Sequence, residues 1–350
     1  MITNLKLDNF TCFNGLNLDF CQGINVFIGK NGTGKTHILK LLYAILKANE
    51  IQILTQTTQK DQEINITNKL NAFFKPEQLG RLVQRTQGRQ NTQINCSTEH
   101  NHIAFNFATN SKYVSINSQD KPLIFPSLYI PPREVLSFFE GFSALYEKRE
   151  ISFDETYYIL AKSLELPLLK GRRYGELQDL IKPLEDAIDG KVLKENGRFY
   201  LKMKNDKMEI NLVAEGFRKI ATLMYLIANG ELSKNSILFW DEPEANLNPK
   251  LITMISKILR LLASKGVQVF VATHDYLLTH QLSLYKEYSP KGEKIPEMKF
   301  FCLHKDIEMK VEVGETLADI ANNPILNEYA DFYDLEKTQM LYSKNAIKQN

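Results

Sequence analysis

The sequence predicts an α/β fold in which buried strands and helices surround a central sheet. Three short, largely apolar runs carry this prediction, at residues 24–28, 237–240 and 267–271. Such runs are typical of strands that are covered on both faces. The first two are followed by segments whose apolar residues recur at helical spacing. Each run leads into polar residues, and polar groups at the carboxyl ends of parallel strands indicate where a ligand binds.

Length and composition are those of an ordinary globular protein. The chain has 350 residues, of which 43% are apolar and 24% charged, and its net charge of +2 neither requires nor excludes a nucleic-acid partner. Four cysteines lie far apart without a C-x-x-C pair, which argues against structural zinc and disulfides. No apolar run approaches the ~20 residues that span a bilayer, and the first residues lack the features of a signal peptide. We therefore expect a cytoplasmic protein that makes no contact with a membrane.

The first strand leads into the segment GKNGTGKT, which fits the phosphate-binding pattern G-x-x-x-x-G-K-[ST]. Glycines let successive backbone N–H groups surround an anion, and the start of the next helix adds positive dipole. Lys35 is expected to reach the β- and γ-phosphates of a nucleotide, and the Thr36 hydroxyl to ligate Mg²⁺. The alternative is a Gly-rich turn that arose by chance. The residues expected to contact the nucleotide are Gly29, Lys30, Asn31, Gly32, Thr33, Gly34, Lys35 and Thr36.

The segments on both sides of this loop favour the phosphate-binding interpretation. Residues 2–20 alternate apolar and polar side chains twice around Asn14-Gly15, which predicts two strands before the loop. Apolar residues at helical spacing in 38–45 predict a helix after it. A strand, a loop and a helix in this order are the context that the phosphate-binding pattern requires.

The second strand, residues 237–240, ends in Asp241-Glu242. Carboxylates are costly to bury without a partner, and a nucleotide-bound Mg²⁺ at the edge of a parallel sheet is a suitable one. Asp241 would then hold the metal through its shell, and Glu242 would orient and deprotonate the attacking water. The alternative is two surface acids at the end of a strand.

The third strand leads into Thr273-His274, after a predicted helix over residues 249–263 that ends at Lys265-Gly266. A single histidine at the end of a strand is usually a satisfied polar residue. Here His274 lies one strand beyond the two acids, where its side chain could reach the γ-phosphate. We therefore assign His274 and Glu242 as the catalytic residues.

These motifs, in this order, resemble the ABC-type ATPase superfamily and fit its soluble branch best. That branch includes RecF-like proteins, heads of structural-maintenance-of-chromosomes (SMC) proteins, and OLD-like and abortive-infection ATPases. Residues 5–36 are similar to the opening of those heads, and residues 215–251 resemble AbiEii-type ATPases more closely still. The resemblance implies a P-loop α/β fold of the ABC-ATPase type, with a mixed sheet, flanking helices and a helical signature lobe. It also implies ATP and Mg²⁺ as cofactors.

We expect a single ATPase head over residues 1–350, with a nucleotide-binding core formed by 1–48 and 191–350. Residues 49–190 would form an inserted polar and β region and the helical lobe. The segment 134–189 is mostly helical but shows no sustained heptads, which excludes a long coiled coil. A hairpin and a closing helix are predicted near the C-terminus, without a second catalytic constellation such as a nuclease.

In the superfamily, a signature loop from a second subunit caps the γ-phosphate. The matching segment here is NLVAEGFRK, in which Ala214 and Glu215 replace the usual Ser and first Gly, and Gly216 is retained. The resemblance implies that Gly216 contacts nucleotide in the partner subunit, with Arg218 or Lys219 offsetting the charge of Glu215. The alternative is that this loop makes no contact with a partner.

The remaining segments are less informative. Residues 51–101 are rich in Gln, Asn and Thr, which predicts loops or a mobile surface. Arg81, Arg85 and Arg89 would form a basic face on a helix, suited to a nucleic-acid backbone or simply to solvent. No segment matches the superfamily's glutamine loop. At the corresponding position, Arg133 would face the nucleotide, the partner or solvent.

The sequence therefore predicts a Mg²⁺-ATP-dependent switch in which two heads close on ATP and reopen on hydrolysis. A homodimer or higher oligomer is expected, together with a partner effector, a nuclease or toxin, in an anti-phage or abortive-infection system. The alternative is a RecF-like DNA-repair ATPase that binds nucleic acid itself. A transporter's nucleotide-binding subunit is the third alternative, and the altered signature and the unplaced glutamine loop disfavour it.

Overall fold

The fold is known from a computed structural model, which describes residues 1–55, 58–85, 88, 90–121, 124–289, 295–305 and 309–347. The described residues form fourteen strands and ten α-helices. The strands are β1 (Ile2–Asp8), β2 (Leu16–Asp19), β3 (Ile24–Gly29), β4 (Asn91–Thr98), β5 (His102–Ala108), β6 (Ser115–Gln119), β7 (Ser127–Ile130), β8 (Lys191–Glu195), β9 (Arg198–Lys202), β10 (Lys207–Glu209), β11 (Ile237–Asp241), β12 (Gln268–Thr273), β13 (Met298–Lys305) and β14 (Met309–Gly314). The helices are α1 (Lys35–Thr55), α2 (Gln59–Phe74), α3 (Phe142–Glu147), α4 (Glu155–Glu165), α5 (Arg172–Gly175), α6 (Gln178–Ile188), α7 (Glu215–Ala228), α8 (Pro249–Ser264), α9 (Tyr276–Tyr288) and α10 (Pro324–Ile347).

A six-stranded sheet forms the centre of the molecule, in the order β14-β13-β3-β12-β11-β7. Its neighbours are parallel except for the antiparallel pair β13 and β14, so the sheet is mixed, as predicted. The strands β3, β11 and β12 are buried along their whole length. Because they are adjacent and parallel, their carboxyl ends meet at one edge of the sheet.

A second, five-stranded antiparallel sheet (β2-β1-β4-β5-β6) lies over one face of the central sheet, with α1 in the same hydrophobic core. Residues of alternate position on the central strands, such as Phe239 and Phe270, face this core, and their rings stack 5.0 Å apart. Buried Gln268 joins the two sheets, because its amide donates to the carbonyl of Ile2 and accepts from the Ile2 N–H.

The other face of the central sheet is covered by helices α4, α6, α7, α8 and α9, which share one core with Trp240 and Leu238. A three-stranded antiparallel sheet (β10-β9-β8) borders this helical layer. Within the described residues, no helix combines the length and the apolarity needed to cross a bilayer. The predicted C-terminal hairpin and closing helix are present as β13, β14 and α10.

The interpretation of residues 51–101 as loops is wrong. Helix α1 continues to Thr55, and α2 begins after Thr58, whose hydroxyl accepts from the N–H of Asp61 in a capping box. Three apolar residues at helical spacing, Ile66, Leu70 and Phe73, anchor α2 in the core. These few apolar residues are enough to hold an amide-rich helix in place, because only one of its faces is buried.

The helical interpretation of the arginine stripe is also wrong. Arg81 lies in a single 3-10 turn, Leu79–Leu82, and the backbone of Val83 then forms an isolated β-bridge with Phe10. Arg89 lies outside the described residues. The stripe therefore does not form one face of a helix.

Candidate functional site

The loop between β3 and α1 has the backbone that an anion-binding loop needs. Gly32 and Gly34 have φ values of +81° and +89°, which favour glycine. A Cβ atom on Gly34 would lie 2.5 Å from the Phe13 ring and 2.6 Å from the Cys12 sulfur. Glycine is therefore required at Gly34 for its conformation and for the close approach of the turn between β1 and β2, which carries Cys12 and Phe13.

Lys35 reaches back across this loop from the first turn of α1. Its ammonium donates to the carbonyls of Gly29 (2.7 Å) and Lys30 (3.1 Å), and the residue is 6% exposed. Burial lowers the pKa of the ammonium, and the nearby carboxylates of Glu242 and Asp241 oppose this shift. A buried cation inside a ring of backbone groups is complementary to phosphate.

Asp241 joins the loop to the central strand β11. Its Oδ1 accepts a hydrogen bond from the Thr36 hydroxyl at 3.1 Å, and its Oδ2 accepts one from the Tyr129 hydroxyl at 3.0 Å. The residue is 1% exposed, and burial raises the pKa of its carboxyl while the two hydrogen bonds lower it. The structure thus brings together the two residues predicted to hold the metal.

Sequence reasoning missed Tyr129. It lies on β7, the strand paired in parallel with β11, and its hydroxyl points at the carboxylate of Asp241. Burial raises the pKa of the phenol well above its usual value, so the hydroxyl remains a donor. The signal was present in SLYIPPRE, because a tyrosine inside a short buried strand needs a polar partner for its hydroxyl.

The pair Thr36 and Asp241 fits Mg²⁺. Both offer hard oxygen ligands, and the carboxylate is buried without an ion-pair partner among the described residues. Mg²⁺ usually takes only one or two protein carboxylates and completes its octahedron with phosphate and water. A metal ion held by this pair would therefore take its remaining ligands from water or phosphate.

Glu242 and His274 lie side by side at the ends of β11 and β12. The imidazole Nδ1 of His274 is 3.6 Å from Glu242 Oε1. The His274 side chain is 45% exposed and the Glu242 side chain 32% exposed. Glu242 has a φ of +47°, which is uncommon for a residue with a side chain, and its N–H donates to the Ala272 carbonyl at 2.8 Å. Non-glycine residues in this conformation cluster at functional sites.

A third acid, Glu244, was also missed. Its Oε1 accepts from the Thr273 hydroxyl (2.7 Å) and from the His274 N–H (3.1 Å), and it lies 3.7 Å from His274 Nδ1. Burial raises the pKa of this carboxyl. The sequence D-E-P-E contained it, but its side chain reaches back to Thr273 and His274 at the end of the neighbouring strand, a contact that no local pattern indicates.

The signature segment starts α7. Ala214 is the N-cap residue and provides no side-chain hydrogen bond, and Glu215 accepts from the Asn246 amide at 2.7 Å. Gly216 is buried, and a Cβ atom there would lie 3.1 Å from the Asn246 carbonyl. A larger residue at Gly216 would therefore disturb the packing of its own chain.

Arg218 pairs with another carboxylate and not with Glu215, whereas the negative charge of Glu215 acts on Lys219 and opposes the lowering of its pKa by burial. The Arg218 guanidinium pairs with Glu134 at 2.8 Å, and this carboxylate is 4% exposed. The Lys219 ammonium donates to the backbone carbonyl of Glu242 at 3.0 Å. The side chain of Arg133 is exposed at the exit of β7.

A cavity of about 500 Å³ opens beside the phosphate loop. Its lining includes Cys12 and Gly32 together with the cationic residues Arg81, Arg85 and Lys305. Arg81 also forms an exposed ion pair with Glu77 at 3.3 Å. Two arginines of the stripe considered for nucleic acid thus lie beside the phosphate loop.

Comparison with protein families gives two matches. The family described as "AAA domain, putative AbiEii toxin, Type IV TA system" matches residues 97–279, just over half of the chain. The family described as "AAA ATPase domain" matches residues 1–125. Together these matches include the phosphate loop, Asp241, Glu242 and His274.

Curated relatives match over short stretches. Structural maintenance of chromosomes protein 6 of Dictyostelium discoideum is 29% identical over 93 residues, which is 24% of this chain and 8% of that protein. The DNA replication and repair protein RecF of Streptococcus suis (strain 05ZYH33) is 28% identical over 107 residues, which is 29% of this chain and 27% of that protein. The chain therefore spans less than a third of the length of these relatives.

Solved structures agree over nearly the whole chain. An SMC head bound to the C-terminal winged-helix domain of ScpA has a TM-score of 0.54 at 12% identity, and covers 89% of this chain and 97% of that one. An SMC head domain with an extended coiled coil from Pyrococcus furiosus has a TM-score of 0.50 at 12% identity, and covers 94% and 99%. The likeness confirms the predicted α/β fold.

Proposed function

Because this chain belongs to the family described as "AAA domain, putative AbiEii toxin, Type IV TA system", it is an ATPase, and we propose that it hydrolyses Mg²⁺-ATP at the edge of the central sheet. One observation carries the assignment of the site. The hydroxyl of Thr36 on the phosphate loop contacts the carboxylate of Asp241 on β11, with Glu242 and His274 next to them. This arrangement unites phosphate binding, metal binding and a general base.

Each residue then has a defined role. The N–H groups of residues 29–36 and the ammonium of Lys35 bind the β- and γ-phosphates. Thr36 and Asp241 would hold Mg²⁺, which neutralises charge that develops on the phosphates. Glu242 orients the attacking water and accepts its proton, and His274 donates a hydrogen bond to the γ-phosphate.

The cavity beside the loop supplies space for the rest of the nucleotide. Its lining includes Gly32 of the phosphate loop and the cationic side chains of Arg81, Arg85 and Lys305. A ribose and a planar base suit such a wall, because guanidinium groups stack on aromatic rings and donate to ring nitrogens.

We further propose that two copies close around ATP. In this arrangement the start of α7, at Ala214 and Glu215, meets the γ-phosphate bound by the partner. Ala214 is exposed, and the first N–H groups of α7 have no partner within the helix. Hydrolysis would reopen the two copies, as a homodimer or within a higher oligomer, and transmit the change to an effector protein.

The proposed setting is anti-phage or abortive-infection defence, with a nuclease or toxin as the effector. The description of the family as an AbiEii toxin of a type IV system supports this setting. The matches to RecF support the alternative, in which the chain binds DNA directly. ATP turnover measured with and without duplex DNA separates the two, because a RecF-like function predicts stimulation by DNA and control of a protein effector does not.

Replacement of the general base tests the catalytic proposal. Glu242→Gln keeps the shape of the side chain but removes its basicity, so turnover should fall by about 10²-fold or more while ATP binding persists. Steady-state phosphate release and calorimetric ATP binding measure the two effects. Glu209→Gln, on the exposed strand β10, is the matched control and should behave as wild type. Wild-type turnover in Glu242→Gln would reject Glu242 as the base.

A further inference from the structure

Lys219 is a buried cation that the proposed chemistry does not use. It lies in the second turn of α7, is 3% exposed, and its ammonium donates to the backbone carbonyl of Glu242 at 3.0 Å. Burial lowers the pKa of this ammonium, opposed chiefly by the charge of Glu244. Lysine is almost never fully buried unless it is paired, so this contact needs an explanation.

The carbonyl that Lys219 binds belongs to a constrained peptide. Glu242 has a φ of +47°, its N–H donates to Ala272 on β12, and its carbonyl also accepts from the Ala245 N–H at 3.2 Å. A residue remains in this sparsely populated conformation only when its surroundings enforce it. The direction of the Glu242 side chain, toward His274, depends on this backbone conformation.

The hydrogen bond from Lys219 also connects α7 directly to Glu242, the proposed general base. Helix α7 starts at the signature segment, and its first and second turns have different partners. The first turn is the part expected to meet a partner's nucleotide, and the second turn holds Glu242 of its own chain. A small shift of α7 would therefore be transmitted to Glu242.

We propose that Lys219 is a positioning residue for Glu242, which makes hydrolysis in one subunit depend on the placement of its own signature helix. The inference rests on the proposed ATPase site and adds a route by which a partner regulates that site. Misplacement of a catalytic group by 1 Å can cost about 10²-fold in rate, so one hydrogen bond is enough for control.

Lys219→Met tests this directly, because methionine keeps an apolar stem of similar length and removes the donor. We expect kcat to fall by about 10- to 100-fold with the KM for ATP changed by less than about threefold. The control is Thr222→Val on the same buried face of α7. Among the described residues its hydroxyl donates to the Arg218 carbonyl of its own helix, so this variant should keep the wild-type kcat.

Combination with Glu242→Gln separates positioning from general structural damage. If Lys219 acts through Glu242, adding Lys219→Met to Glu242→Gln should not lower the residual single-turnover rate further. A merely structural role predicts that the two losses multiply, which would overturn the proposal. A wild-type kcat in Lys219→Met would overturn it as well.

A second variant covers the case in which Lys219→Met does not fold. Lys219→Gln is neutral and places its N–H donor one bond short of the Glu242 carbonyl, so its kcat should fall below that of wild type at unchanged ATP binding. Wild-type kcat in Lys219→Gln would then reject the proposal. If Glu242→Gln itself retains turnover, the failure lies in the proposed ATPase site and not in the role of Lys219.

Discussion

Two helices of this protein begin at segments that the sequence associates with ATP, and their surroundings differ. Helix α1 begins behind glycines of positive φ, and its Thr36 contacts Asp241 at the end of β11. Helix α7 begins behind Ala214, which offers no capping side chain and is exposed. The first helix start has its partners within the chain, and the second has the open N–H groups expected of a surface that binds a ligand held elsewhere. One motif can therefore be tested in a monomer and the other only in an assembly.

The largest effect should come from removal of the metal. Without Mg²⁺ the charge that develops on the phosphates would lose its neutralising cation, and the carboxylate of Asp241 would face them unpaired, so chelation by EDTA should lower turnover by at least about 10²-fold. Phosphate release is measured before and after dialysis against EDTA, and added MgCl₂ should restore it. Turnover that persists in EDTA would show that the contact between the phosphate loop and β11 does not serve a metal.

Loss of the loop cation should have the next largest effect. Lys35→Ala removes the charge that meets the β- and γ-phosphates, and ATP affinity should fall at least tenfold, or about 1.4 kcal/mol. Isothermal titration calorimetry measures this, with Lys6→Ala as the control for loss of one positive charge, because Lys6 is an exposed residue of β1. Near-unchanged affinity in Lys35→Ala would remove the distinction between the two helix starts.

A pair of glycine substitutions compares the two helix starts by stability. Gly34→Ala would place a methyl group 2.5 Å from Phe13 at a φ of +89°, so it should destabilise the fold by about 2 kcal/mol or more. Gly216→Ala would meet its nearest neighbours at 3.1 Å within an α-helix, so its effect should stay within about 1 kcal/mol. Urea denaturation of both variants measures the difference. Equal losses would contradict the view that the first loop is more tightly enclosed by its own chain than the start of α7.

The sequence predicts those parts of the site that depend on local geometry. The phosphate loop, Asp241, Glu242 and His274 each follow an apolar strand, and parallel strands bring their ends together. The fold class followed for the same reason. The individual catalytic roles of Glu242 and His274 stay predictions.

Other parts of the site depend on contacts between distant segments, which no local pattern contains. Tyr129 reaches Asp241 across 112 positions of sequence, and Lys219 reaches Glu242 from another helix. Helix α2 was missed because its polar residues outnumber the few that anchor it, Ile66, Leu70 and Phe73. Side-chain partners of this kind become visible only when the strand order and the helix packing are known.

The claim that a second copy completes the ATP site is tested most directly by the assembly state of Glu242→Gln. Analytical ultracentrifugation of this variant should show a monomer without nucleotide and a dimer with Mg²⁺-ATP. Adding Ala214→Trp places a large side chain at an exposed position of the signature segment, so it should abolish the dimer while leaving the melting temperature and ATP binding unchanged. A monomer under both conditions, or a dimer that is indifferent to Mg²⁺-ATP and to Ala214→Trp, would contradict the account.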